Sequence, residues 1–212
     1  MNIAFDVHPL ISDVITGIGY CEAGLIDALT TEFPDNKYLF DYFAIKNPQE
    51  KANRLRPYFK ENCVHNTGFF SGFAYRAAMN FVPIPYSMFF GKKADITHFF
   101  NYIIPPGVHG KRIVTVHDMV YKAFPETMRT RTRKLLETGL EKSMKRADLI
   151  VTDSEFSLRE IAKYFPKYEE KIRVVPCGVD SKRFYPIEDK SRIDTVKKKL
   201  GIDGDYFLYL GT

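Results

Sequence analysis

The chain reads as an α/β fold, a parallel sheet with helices on both faces. Three observations predict it. The strand candidates are short, continuous apolar runs, as strands buried on both faces require. They alternate along the chain with segments of helical period. Clusters of Pro, Gly, Asn and Asp separate the two kinds of segment.

Residues 2–8 (NIAFDVH) are the first expected strand. A loop with Pro9 and the run Thr16-Gly17-Ile18-Gly19 leads into a helix over 18–29, with Ile18, Leu25, Ala28 and Leu29 as its apolar side. Pro34-Asp35-Asn36 stops it. Residues 38–45 (YLFDYFAI) form a second strand, 48–60 a polar helix and 62–65 a short strand. The stretch 69–90 (FFSGFAYRAAMNFVPIPYSMFF) differs in kind: Arg76 is its only charge, and Pro83 and Pro85 divide it into two short helical pieces with aromatic faces. Strands over 96–99 (ITHF) and 112–117 (RIVTVH) flank the turn at Pro105-Pro106-Gly107. The clearest helix is 129–147, with Leu136, Leu140, Met144 and Ala147 at helical spacing. A strand over 148–153 (DLIVTD), a helix over 154–165 ended by Pro166, and a strand over 172–176 (IRVVP) follow. Gly178-Val179-Asp180 turns away, 193–200 is a short basic helix, and 206–210 (YFLYL) is a last apolar strand. That strand runs straight into Gly211-Thr212, so it belongs at a sheet edge or at the start of a further domain.

Composition narrows the class. With 45% hydrophobic and 27% charged residues over 212 positions, the chain has the balance of a soluble globular protein, which excludes disorder. No 18-residue stretch lacks both charge and proline, so no membrane-spanning helix is expected. The N-terminus shows no basic segment followed by an apolar core, so no secretory signal is expected and the location is cytoplasmic. A net charge of +5 does not argue nucleic-acid binding. Cys21, Cys63 and Cys177 are odd in number and far apart in sequence, which fits reduced thiols. With 18 Phe and 13 Tyr, the aromatic residues cluster too densely for one core face.

Candidate site residues stand where strands end. Gly17 and Gly19 open a helix after the first strand. Small residues there let backbone N–H groups approach a phosphate, and the helix N-terminus favours negative charge. A plain turn whose glycines supply positive φ is the alternative. Glu22 stands where the dinucleotide fingerprint has its third glycine, and a long loop separates strand from glycines, which weighs against a nicotinamide or flavin enzyme. His117 and Asp118 end a buried strand, at the edge where open α/β sheets bind ligands. The histidine can bond a sugar hydroxyl or phosphate, with the carboxylate orienting it. The alternative is a histidine satisfied by backbone, with Asp118 capping the next turn. Ser154 is a helix cap, and its place at a strand end also makes it, with Glu155 beside it, a candidate substrate contact. The basic residues Arg129, Arg131, Arg133, Lys134, Lys142, Lys145 and Arg146 form a solvated helix face or a surface for anionic lipid. His8, His65, His98 and His109 lack helical spacing with the His117-Asp118 pair, so a metal-dependent phosphohydrolase is disfavoured. Asp203-Gly204-Asp205 precedes a strand and reads as a turn.

The order and spacing of several segments together resemble the N-terminal domain of glycosyltransferase family 4, one Rossmann-like half of a GT-B enzyme. The segments are Thr16-Gly17-Ile18-Gly19-Tyr20, Val116-His117-Asp118 with Phe124-Pro125, the run from Ala147 to Ser157 (ADLIVTDSEFS), and the run from Ile172 to Asp180 (IRVVPCGVD) with Phe184 and Pro186. Cys177 departs from the family's usual Asn. The resemblance implies an acceptor domain over 1–180, an interdomain linker with a short helix over 181–205, and over 206–212 the first strand of a C-terminal donor domain, which the sequence lacks. It implies a retaining transferase that uses a UDP- or GDP-sugar and a saccharide or lipid-linked acceptor in cell-surface polysaccharide synthesis, with no cofactor and no metal. Gly17 and Gly19 would then meet the donor diphosphate, His117 the transferred sugar, and Asp118 would shape that site. The acceptor would lie near 69–90, and the basic helix would touch the inner membrane face. Alone, the chain would be inactive. The competing reading is a non-catalytic Rossmann-like subunit that pairs with a separate donor-binding chain, its edge strand 206–210 docking the partner.

Overall fold

The computed structural model describes residues 1–79, 82–181 and 183–209. Met1–Gly178 form one compact unit and Val179–Thr212 a second.

The first unit holds a seven-stranded sheet. Its strands are β1 (Asn2–Asp6), β2 (Lys37–Phe43), β3 (Cys63–Gly68), β4 (Ile96–Phe99), β5 (Lys111–Thr115), β6 (Leu149–Thr152) and β7 (Ile172–Val174). Every pairing is parallel and the order is β3-β2-β1-β4-β5-β6-β7. The chain winds outward from β1 to one edge, returns to β4, and winds outward to the other. The helices are α1 (Gly17–Glu32), α2 (Pro48–Leu55), α3 (Gly72–Ala78), α4 (Ser87–Phe90), α5 (Val120–Ala123), α6 (Thr130–Arg146) and α7 (Glu155–Tyr164).

Side-chain alternation on the strands builds two cores. Tyr38, Phe40 and Tyr42 of β2 join Phe5 of β1, Ala23 and Ile26 of α1, and Leu55 of α2 in one cluster. Phe43, one step out of phase, joins Tyr75 of α3 and Phe90 of α4 in the other, with Val114 of β5, Ile150 of β6, Leu136, Leu140 and Met144 of α6, and Ile161 of α7. Phe99 and Phe100 split between the two clusters in the same way. Opposite faces of the sheet are thus each covered by helices, as the continuous apolar strands require. The stretch 69–90 does become two short helices. Its inner aromatics are core, while Phe69, Phe73 and Met88 stay exposed; Asn80 and Phe81 lie outside the described residues.

Three expectations need correction. The fully buried residues of α1 are Gly19, Glu22, Ala23, Ile26 and Thr30; of the expected side, Ile18, Leu25 and Leu29 are half-buried against the cores and Ala28 is exposed. Apolar letters occur on both sides of this helix, and packing chooses the side whose small residues allow close approach to the sheet. The glycines at its start do not supply positive φ, since Gly17 and Gly19 are both helical and neither has a positive φ. Finally, residues 206–209 pair with nothing as a strand, and Phe207, Leu208 and Tyr209 are exposed; the expected strand's last residue, Leu210, lies outside the described residues.

The second unit is built on α8 (Lys190–Leu200). Asp189 caps it by accepting from the N–H groups of Ser191 and Arg192, and Gly201, at φ 65°, ends it in the left-handed conformation. Gly204 bends the chain at φ 76°, so Asp203-Gly204-Asp205 is a turn, and Lys197 Nζ donates to the Gly204 carbonyl. Among the described residues no helix is long and apolar enough to cross a membrane.

Candidate active site

Parallel strands place all their C-terminal ends on one edge. The winding reverses between β1 and β4, the kind of switch point at which open α/β sheets bind ligands. The polar residues of interest follow the C-terminal ends of β1, β5 and β6 on this edge.

His117 stands just past β5, where Val116 N–H still bonds the Val151 carbonyl at 2.8 Å. Its Nε2 lies 2.8 Å from the carbonyl oxygen of Phe100, past β4, and its Nδ1 lies 2.6 Å from Asp153 Oδ2, past β6. The ring therefore ties three strand ends together. Both ring nitrogens thus stand within hydrogen-bond distance of an oxygen. Tyr102 meets it edge-on at 5.6 Å between ring centres. Tyr102 itself holds a left-handed φ of 59°, a costly conformation for a bulky side chain that the surrounding packing must impose. Its hydroxyl bonds Asp118, and burial followed by the Asp118 charge pushes it upward. Asp118 Oδ1 also accepts from Val120 N–H at 3.0 Å and so holds the start of α5.

The other expected residues lie on the same edge. Ser154 caps α7, its Oγ accepting from Ser157 N–H at 3.1 Å, and Glu155 occupies the exposed first turn. At α1, by contrast, Thr16 gives no side-chain cap and the first turn carries no acid. Gly17 is exposed, and a Cβ there would meet nothing within 4 Å. Gly19 is buried, and a Cβ there would stand 2.7 Å from Ile15 Cγ2 and 3.3 Å from the Pro9 carbonyl oxygen. Its bareness lets the helix pack on the loop after β1.

Sequence reasoning missed a second charged group, at the end of β1. Arg76, the lone charge of 69–90, reaches Asp6 with one nitrogen at 2.7 and 3.1 Å from the two carboxylate oxygens. The Arg76 charge, then burial, hold His8 down to about 4 against the pull of Asp6. Glu22 is fully buried, and neither carboxylate oxygen has a hydrogen-bond partner among the described residues. Burial first and Asp6 second raise its carboxyl well above the usual range. On β2, Asp41 accepts from Asn66 Nδ2 at 2.6 Å and Tyr86 Oη at 2.9 Å; burial dominates and pushes it up to about 8. The signals were faint: an isolated charge in an apolar stretch for Arg76, and helical phase with Gly19 and Ile26 for Glu22.

The fold also brings together two cysteines that the sequence separates. Cys21 of α1 and Cys177 beyond β7 have their Sγ atoms 2.7 Å apart, and Cys177 Sγ lies 3.5 Å from Asp153 Oδ1. These three residues are the one group of cysteine, histidine or acidic side chains among the described residues whose ligand atoms converge, all within 4.8 Å.

No curated protein matches the sequence. The family model described as Glycosyltransferase Family 4 matches residues 40–183, about two thirds of the chain. The matched span contains His117, Asp118, Asp153, Ser154 and Glu155; Gly17 and Gly19 precede it. The parallel sheet, in this order, is a Rossmann-like sheet consistent with one half of a GT-B enzyme. On a match of that extent, the chain belongs to Glycosyltransferase Family 4.

Proposed function

We propose that this chain is the acceptor-side domain of a retaining glycosyltransferase that moves a sugar from a UDP- or GDP-sugar to a saccharide or lipid-linked acceptor in cell-surface polysaccharide synthesis. The family match over a parallel sheet with polar residues at its C-terminal edge carries the reading. The uncapped start of α1 supports a role for Gly17 and Gly19 in meeting the donor diphosphate: Thr16 makes no side-chain cap bond, the first turn carries no acid to oppose an anion, and Gly17 leaves room for close approach among the described residues. His117 meets the transferred sugar by exchanging the Phe100 carbonyl for a substrate oxygen, while Asp153 keeps the ring oriented. Asp118 and Tyr102 shape the pocket wall, and Ser154 and Glu155 border it. The charge that builds on the leaving nucleotide is stabilised mainly by a donor-binding domain outside this sequence.

Exposed Phe69, Phe73 and Met88, with Arg131 stacked 4.6 Å over Phe73, support peripheral contact with an anionic membrane face. Flotation with phosphatidylserine vesicles should carry the protein upward at low salt and lose it when Phe69 and Phe73 become Ser. Equal flotation of both proteins would remove this part of the reading.

Calorimetric titration of UDP, GDP and their sugar conjugates tests the central claim. An acceptor-side domain binds them no better than millimolar, and the chain alone shows no transfer. Micromolar binding of one nucleotide would place the donor site within this sequence and overturn the proposal.

A further inference from the structure

All three cysteines are free thiols, and the fold brings together two that lie far apart in sequence. Cys21 lies on α1 and Cys177 in the segment that follows β7, yet their sulfurs stand 2.7 Å apart. That is closer than two thiols sit by chance packing and approaches the bonding range of a disulfide, about 2.05 Å. Cys21 is half-buried and Cys177 exposed, so a small oxidant reaches the pair, whereas Cys63, at the start of β3, is buried in the core cluster with Tyr38 and Leu55. A shared metal ion fits less well. Two thiolates on one tetrahedral zinc, each at about 2.3 Å, are held about 3.8 Å apart, so the pair would have to open by about 1 Å to admit it.

We propose that Cys21 and Cys177 are a redox-active dithiol that closes reversibly into an intramolecular disulfide when it meets a small-molecule disulfide such as oxidised glutathione. One protein thiol gives up its proton, and its sulfur attacks the reagent disulfide. One reagent thiolate leaves and takes up a proton. The second protein sulfur, deprotonated in turn, attacks the mixed disulfide and displaces the other reagent thiol. Two protein thiols and one reagent disulfide thus become one protein disulfide and two reagent thiols, with two electrons passing to the reagent. Closure ties α1 to the segment after β7. It also removes the S–H that Cys177 directs at Asp153 Oδ1, leaving Asp153 to His117. The linkage therefore reaches a residue of the candidate active site.

The test treats the full chain with oxidised glutathione, alkylates it and measures intact mass. The dithiol predicts loss of the mass of two hydrogens, one remaining alkylated thiol (Cys63), and a non-reduced peptide joining the segments around Cys21 and Cys177. The melting temperature should rise by about 5 °C and return with dithiothreitol. Cys63→Ser should keep the link, whereas Cys21→Ser and Cys177→Ser should each lose it and take up glutathione instead. Three thiols still alkylated, a link through Cys63, glutathione adducts on both cysteines of the wild-type chain, or protection in the untreated chain that a chelator relieves would each overturn the proposal. The wild-type mass decides the matter even if a serine variant fails to fold.

Discussion

Two side-chain pairs stand on the same sheet edge with similar exposure and different surroundings. In Asp6–Arg76 the side chains are 13% and 26% exposed, and in Asp153–His117 28% and 13%. The second pair is closed: both imidazole nitrogens have partners, and Asp153 spreads its oxygens over His117 and Cys177. The first is open. Among the described residues Arg76 itself has an unpartnered Nε and nearby Glu22 two unpartnered oxygens, and the pair's field reaches His8 and Asp41. Equal exposure therefore does not mean equal electrostatic state. A closed pair takes a ligand only by exchanging one of its partners, as His117 would exchange the Phe100 carbonyl, while an open one has unused bonding capacity and is the more sensitive to a change of charge.

The largest effect should come from breaking the open pair. Arg76→Met leaves Asp6 facing buried Glu22 with no cation between them, and stability should fall by about 3 kcal/mol in urea melts. His8 loses the chief charge that opposes its protonation, so its imidazole should titrate well above about 4 by NMR. Unchanged stability together with an unmoved His8 would show that Asp6–Arg76 is only a surface contact.

The next effect is on pH. Asp41 is raised from 3.8 to about 8 and Glu22 is raised too, so the folded chain binds more protons than the unfolded one above pH 4. Their contribution is fully present below pH 4 and is lost as pH rises, for Asp41 up to about 8. His8 and His98 are lowered to about 4 and about 3, which gives the opposite slope, complete by about pH 6.5. Below that pH the two slopes oppose each other; above it only the carboxyls act. Two groups act in each direction, so stability should be nearly level between about pH 4.5 and 6 and fall toward pH 8. Asp41→Asn keeps an acceptor for Asn66 and a group that can bond Tyr86, and it should flatten part of that fall, gaining about 2 kcal/mol at pH 8 over wild type. A variant with the wild-type slope would show that Asp41 ionises freely in the fold.

What the sequence revealed follows from which interactions are local. Strands buried on both faces announce themselves as apolar runs, and the sheet follows from their alternation with helices. His117, Asp118 and Ser154 were legible because a strand end followed by a turn is a local pattern. Asp6 and Arg76 were not, since 70 positions separate them and only the fold brings them together. Cys21 and Cys177 are separated still more widely, by 156 positions. Glu22 was read only as a missing glycine, although its phase with Gly19 and Ile26 put a carboxylate on the buried face of α1. Residues 206–209 fail in the opposite direction: apolar letters express a preference for burial, but a strand also needs a partner, and these residues have none within the described chain.

The smallest effects separate the two glycines of α1, which the sequence treats as a pair. Gly19→Ala drives a methyl to 2.7 Å from Ile15 Cγ2 and 3.3 Å from the Pro9 carbonyl, so the loop after β1 must shift, at about 1–2 kcal/mol. Gly17→Ala meets open space in a helical conformation and should stabilise the chain by about 0.5 kcal/mol by limiting the unfolded backbone. Opposite signs in urea melts would assign Gly19 to packing and leave Gly17 free for a ligand. The distinction sharpens in a protein that also carries a donor-binding domain. There Gly17→Ala should weaken nucleotide-sugar binding several-fold while stability holds, because the added methyl stands where a diphosphate would approach the N–H groups of the first turn. If binding is unchanged by Gly17→Ala and falls only with the stability loss of Gly19→Ala, the glycines serve the fold alone, and the anion site must be sought at the open charge group beside Arg76.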